Sequence, residues 1–220
     1  MKNKKNFLFA LIGAGTLVLS AGVGFAAWTI NAQQETGTGS INVSADGTIT
    51  DNRITIDTKN SKFQDGYSSI SFAAAKNGST FATPWLSASE PIEEVDKLTL
   101  KYDVTVTGHA GLNVSATAKI VDKDNGEFSK LINTDHIIGE LPTNINVILT
   151  DEAGNGTYKG TIEATFTWGI EFGNQNPYVY YNSKLYEKDL ADKASKNIAK
   201  LATITNYSGL TLSYTVSVNK

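Results

Sequence analysis

The chain holds two histidines, His109 and His136, and no cysteine. Nucleophilic catalysis needs a base beside a nucleophile, and a metal site needs several imidazole, thiolate or carboxylate ligands brought together. The two histidines stand far apart in loop-like sequence, so both are expected on surface loops. No Gly-x-Ser-x-Gly elbow, His-Glu-x-x-His pair or phosphate-binding glycine loop follows the N-terminal segment. Asp122-Lys123-Asp124-Asn125-Gly126-Glu127 resembles half a calcium loop, yet its glycine falls one position early and no glutamate follows at the bidentate position. A hairpin turn is expected there instead. Glu90, Glu93, Glu94 and Asp96 crowd ahead of a strand. A glycosidase needs two carboxylates across a cleft, so this local run reads as solvated loop. The expectation is a chain with no catalytic residue, no metal site and no cofactor, hence not an enzyme.

The richest stretch in aromatic and amide side chains runs from Phe166 to Asn182 and includes Trp168, Tyr178, Tyr180 and Tyr181 beside Asn174, Gln175 and Asn176. Exposed aromatic faces stack on sugar C–H groups while amides bond hydroxyls, so Trp168, Tyr178, Tyr180 and Tyr181 are the candidate glycan contacts. Against that stands the alternation, which already assigns Phe166 and Trp168 to one strand face and leaves the tyrosines to pack a following helix.

The elements that would position these groups begin after an export signal. Lys2, Lys4 and Lys5 precede a run from Phe7 to Ile30 without a single charged side chain. That is the order of a secretory signal, and Gly24-Phe25-Ala26 offers small residues at the two positions a signal peptidase reads. Cleavage is therefore expected between Ala26 and Ala27, with a cut after Ala32 as the weaker alternative. An uncleaved segment would be the chain's one route to a membrane, as an anchor. In both cases the remainder is exported.

Of 19 basic and 22 acidic side chains, three lysines and no acid lie in residues 1–26, so the net charge moves from −3 to −6 on cleavage. An acidic domain argues against nucleic acid and anionic membrane surfaces as partners. An exported chain without cysteine must be held by its core alone.

Strict two-residue alternation predicts half-buried strands. One face collects Leu98, Leu100, Tyr102, Val104 and Val106; the same pattern holds for Leu112 to Ile120, for Tyr158 to Ile170 and for Leu210 to Val218. Shorter strands are expected at Ile41 to Ala45, Ile54 to Ile56, Ile70 to Ala74 and Ile145 to Leu149. Turns are expected at Asp46-Gly47, Asn77-Gly78, Gly108 to Gly111, Asp124 to Gly126 and Gly154 to Gly156. From Ser183 to Leu201, Tyr186, Leu190, Ala194, Ile198 and Leu201 recur at helical spacing, and Phe128 to Ile132 reads as a short helical turn. The expected fold is mostly β, a two-sheet, jelly-roll-like sandwich with one amphipathic helix inserted before the last strand; an immunoglobulin-like sandwich is the alternative. The expected division is a signal peptide over 1–26, a flexible segment over 27–39 and a sandwich domain over 40–220.

Gly22-Val23-Gly24-Phe25-Ala26-Ala27-Trp28, a polar linker, and Gly39-Ser40-Ile41-Asn42-Val43-Ser44-Ala45 together resemble the start of the TasA and camelysin family. These are secreted matrix proteins of Gram-positive bacilli, processed by a SipW-type signal peptidase, that build biofilm fibres. The resemblance covers about 25 residues closely and does not extend to the Trp168 to Asn182 stretch. It implies a jelly-roll domain whose mature N-terminal segment adds as a strand to a neighbouring copy. Trp28 and Ile30, alternating on a glycine-tethered segment, are the residues that would assemble in this way. Other copies of the chain, other matrix proteins and polysaccharide are the partners expected, at the cell surface or in the extracellular matrix. A secreted carbohydrate-binding module is the alternative function.

The exported form should begin at Ala27, and mass spectrometry of the secreted protein checks it. An intact Met1 to Ala26 segment would mean a retained anchor.

Overall fold

The computed structural model describes residues 18–22, 25–29, 39–72, 98–123, 126–175, 177, 180, 196–197, 200–204 and 207–219. Among them the main sheet has five strands in the order β6 (Ser69–Phe72), β3 (Gly39–Ile49), β11 (Tyr207–Asn219), β8 (Asn113–Asp122) and β9 (Ile145–Leu149). The β3–β11 pair is parallel and the other pairs are antiparallel. The second sheet has β10 (Thr157–Thr165) against β7 (Thr99–Gly108), whose far edge takes first β4 (Ile54–Ile56) and then β5 (Lys62–Phe63). The two sheets pack face to face as a sandwich. A separate hairpin, β1 (Val18–Gly22) with β2 (Phe25–Thr29), forms its own two-stranded sheet.

The alternating faces fold as their pattern requires. Leu100, Tyr102, Val104 and Val106 of β7, Val114, Ala116, Ala118 and Ile120 of β8, and Leu210, Leu212, Tyr214 and Val216 of β11 all turn inward and are buried. Phe72 sits at the centre, with ring centroids 5.3 Å from Trp168, 6.2 Å from Phe166 and 6.4 Å from Phe128. Edge-to-face packing of this kind adds to the hydrophobic gain, which the absence of disulfides makes the chief support of the fold.

Loops cross between the sheets where the sequence placed turns. Tyr158 ties down the Gly108 to Leu112 crossing, its hydroxyl donating to His109 O at 2.6 Å and accepting from Leu112 N at 2.9 Å. Gly156 has φ +83°, and a Cβ there would lie 2.1 Å from Gly108 O, so this close approach of two loops requires glycine.

Several expectations are corrected. Asp46-Gly47 lies inside β3 rather than in a turn, because β11 runs alongside and keeps the chain extended. Strand β10 stops at Thr165; Trp168 continues only as a single bridge to Ile138, and Ile170 opens a 3-10 turn (Ile170–Phe172) and is 69% exposed. The diversion follows from Gly169, where a Cβ would lie 2.0 Å from His136 O. Asp122 to Glu127 makes no hairpin but leads from β8 into helix α1 (Glu127–Asn133), whose Phe128 and Leu131 are buried. Asp124 and Asn125 lie outside the described residues, as do Asn77-Gly78 and most of the stretch expected as the inserted helix. Of that stretch, Lys196, Asn197, Lys200 and Leu201 are helical, and so already are Pro177 and Tyr180 before it. Strand β5 was not anticipated, being two residues without a periodic signal.

Phe166→Ala should cost about 3–5 kcal/mol of unfolding free energy, since it empties a fully buried ring site. Ile170→Ala, at an exposed position the alternation assigned to the core face, should change stability by less than about 0.5 kcal/mol. Denaturant titration of both variants checks the face assignment.

Candidate functional site

Strand β3 is paired unequally on its two sides. Along one side it follows β11 from Ile41 to Ile49. On the other, β6 pairs only Gly39 to Asn42, with one further bond from Val43 N to Ser68 O. Among the described residues, no strand pairs with that side of residues 44–49. Among the described residues, this stretch of β3 is an open sheet edge.

The inner face along this edge thins out in step. Val43, Ala45, Gly47 and Ile49 lie opposite the inward residues Leu210, Leu212, Tyr214 and Val216 of β11. Their own exposure rises from buried Val43 to Ile49 at 42%, whereas all four β11 partners stay buried. The sandwich is therefore left open as a wedge along the last turns of β3. On the outer face Ser44 and Thr48 pair their hydroxyls with Thr211 and Thr215, at 3.0 and 3.1 Å.

Tyr214 fills the space that Gly47 leaves. A Cβ on Gly47 would lie 2.3 Å from Tyr214 Cζ, so the phenol ring occupies that position. The Tyr214 ring leans on Tyr102 at 5.4 Å, and Tyr102 donates to Ser61 O at 3.2 Å. Ser61 is buried and bridges in turn to Thr105, accepting from Thr105 N and donating to Thr105 O. Burial, and then the hydrogen bond with Tyr102, push the Tyr214 hydroxyl well above the ordinary tyrosine range.

The residues singled out from sequence fall in three places. Ala26, Ala27 and Trp28 lie on β2, opposite Ala21, Ser20 and Leu19, so the first residues of the segment expected to be flexible are strand-paired. Ile30 lies outside the described residues, as do Tyr178, Tyr181 and the acidic run from Glu90 to Asp96. Trp168 is 5% exposed, with its ring edge-on to Phe72 and to Phe172, and presents no face to a sugar. Tyr180 is half-buried against Phe172. The aromatic stretch is thus core packing where it is described, because the strand end turns inward onto α1 and β6. His109 and His136 are exposed loop residues, and His136 has φ +53°. Among the described residues no three His, Asp or Glu side chains group to hold a metal ion, and no helix is long and apolar enough to cross a membrane.

Sequence reasoning missed the open edge because it ended the strand at Ala45. The signal was present: Val43, Ala45, Gly47 and Ile49 keep the two-residue period straight through Asp46-Gly47. Compared with known proteins, the chain matches no family model, no curated protein and no solved structure.

Folding favours the neutral Tyr214 phenol, so its contribution is whole below the ordinary value of 10.0 and is lost as pH rises above that value toward the raised one. Tyr214→Phe should therefore lose less stability than the parent between neutral pH and about pH 11. Urea midpoints at the two pH values check it.

Proposed function

We propose that this chain is an exported structural protein of the cell surface or extracellular matrix that assembles by donor-strand addition. Residues 27–39 of one copy add to the edge at residues 44–49 of the next. The observation that carries the reading is the one-sided pairing of β3. Unpaired main-chain N–H and C=O groups on a sheet edge are a template for another strand, and proteins that do not use such an edge usually blunt or cover it.

The donor follows from the same physics. Trp28 pairs with Leu19 in the β1–β2 hairpin. A cut after Ala26 removes β1 and leaves Ala27, Trp28 and Thr29 without their ladder. Those main-chain groups then need a partner or water. Trp28 and Ile30 alternate in sequence, as one face of an extended strand requires, and beside the edge Ile49 is the exposed apolar side chain they would cover. Burying both side chains is worth roughly 3–6 kcal/mol before ordering costs, enough for association once ladder bonds add to it. The likeness of the N-terminus to the biofilm-fibre family points the same way. Function here is mechanical, and no catalytic step is assigned.

The processed protein should form concentration-dependent oligomers or fibres, visible by sedimentation and electron microscopy. A chain starting at Gly39 should unfold cooperatively but stay monomeric. A processed protein that remains monomeric at high concentration over a range of salt and pH would refute assembly. Loss of cooperative unfolding in the shortened chain would show that Trp28 and Ile30 belong to the protomer's own core.

A further inference from the structure

Away from the β3 edge, the outer face of the β7–β10 pair carries a trough of about 880 Å³. Its floor is the outward side chains of the two strands, Asp103, Thr107, Thr161 and Lys159 among them. One wall is the turn after β4 at Asp57 to Asn60, and the other is the β9–β10 turn carrying Glu152 and Asn155.

Two of the trough's carboxylates are held in place. Asp103 Oδ1 accepts from Gln64 Nε2 at 2.9 Å and from Thr161 Oγ1 at 2.7 Å, which fixes the carboxylate. Asp57 accepts from Asn60 Nδ2 at 2.6 Å and from the N–H groups of Lys59 and Asn60. Glu152 and Lys159 have no ion-pair partner among the described residues. Three carboxylates thus stand against one ammonium.

The chemistry narrows the occupant. The main chains of β7 and β10 bond each other from Thr99–Thr165 to Thr107–Thr157, so an added strand finds no backbone groups here. The lining is mostly hydroxyl, amide and carboxylate groups, with Val104 and Ala153 the lining residues that have apolar side chains, which disfavours a peptide held by apolar anchors. Its negative charge repels nucleic acid and acidic polysaccharide alike. Hydroxyls and amides that both donate and accept suit the ring hydroxyls of a sugar chain, and prepositioned carboxylates suit its ammonium groups.

We infer that this trough is a binding site for a polysaccharide bearing free amino groups, a polymer of the glucosamine type, which the protein would hold whether or not it assembles through β3. Asp103, Asp57 and Glu152 take the ammonium groups, while Thr107, Thr161 and Asn155 take ring hydroxyls. Lys159 opposes binding, as the one like charge in the trough.

The test is calorimetry of the protein with a glucosamine hexamer at a mildly acidic pH, where both amines and carboxylates are charged. The N-acetylated hexamer and hexalysine serve as comparisons. The glucosamine hexamer should bind, with affinity falling as salt rises, and both comparisons should bind about tenfold more weakly or worse. Glu152→Gln and Asp103→Asn should each weaken binding, and Lys159→Gln should strengthen it. Glu152 and Lys159 are exposed, so those two variants report on the site even if Asp103→Asn is poorly folded. Equal binding of hexalysine would reduce the effect to charge alone and overturn the proposal. So would equal binding of the N-acetylated hexamer, no binding at all, or affinities indifferent to Glu152→Gln and Lys159→Gln.

Discussion

Strand β11 lies in the middle of the main sheet with the first strand of the domain on one side and β8 on the other. A parallel neighbour cannot be reached by a tight turn, and here the connection between β3 and β11 is nearly the whole domain. Ser44 meets Thr211 across 167 positions of sequence. The entropy of closing so long a loop rises only slowly with length, yet contacts this distant make folding slow. Until the last residues arrive, β3 and β8 each lack their central partner, and the inward faces of the sheet have nothing to hold their register. The register of the main sheet rests on that long-range pairing.

What the pairing secures is a core closed by rings rather than by covalent links. Phe72 gathers Phe166, Trp168 and Phe128 in one group of rings, and Tyr102 with Tyr214 forms a second. The two groups differ in their surroundings. Near Phe72, the chain after β10 folds inward and seals the sandwich with α1 and the 3-10 turn at Ile170–Phe172. Near Tyr214, a ring packs over a glycine, and beyond it Ile49 of β3 stands exposed opposite buried Val216. The same contraction of side-chain volume from Val43 to Gly47 that admits Tyr214 leaves the wedge into which a strand from a neighbour is proposed to enter.

The outer faces are built differently from both. Hydroxyl pairs recur across them, Ser44 with Thr211, Thr48 with Thr215, Ser115 with Ser217 and Thr99 with Thr165. Cross-strand hydroxyl pairs of this kind support β pairing without large charge. The open edge and the trough lie on different sheets. The proposed assembly edge and the proposed polysaccharide trough therefore do not overlap.

The sequence by itself determined the faces. The buried positions of β7, β8 and β11 were legible residue by residue, because a period of two leaves a strand only one way to bury its apolar side chains. Strands β4 and β9 and helix α1 were legible from their short patterns and turn residues. The two-sheet class followed from their number and spacing. Tertiary structure alone decided where strands end and what stands beside them. Asp46-Gly47 has the chemistry of a turn and is held extended by β11, while Trp168 and Ile170 share an alternation that the contact of Gly169 with His136 breaks. The open edge and the trough were invisible for the same reason. An edge is the absence of a neighbour and a trough is the sum of distant loops, and local sequence encodes neither, since both depend on which strands, far apart along the chain, the fold brings together.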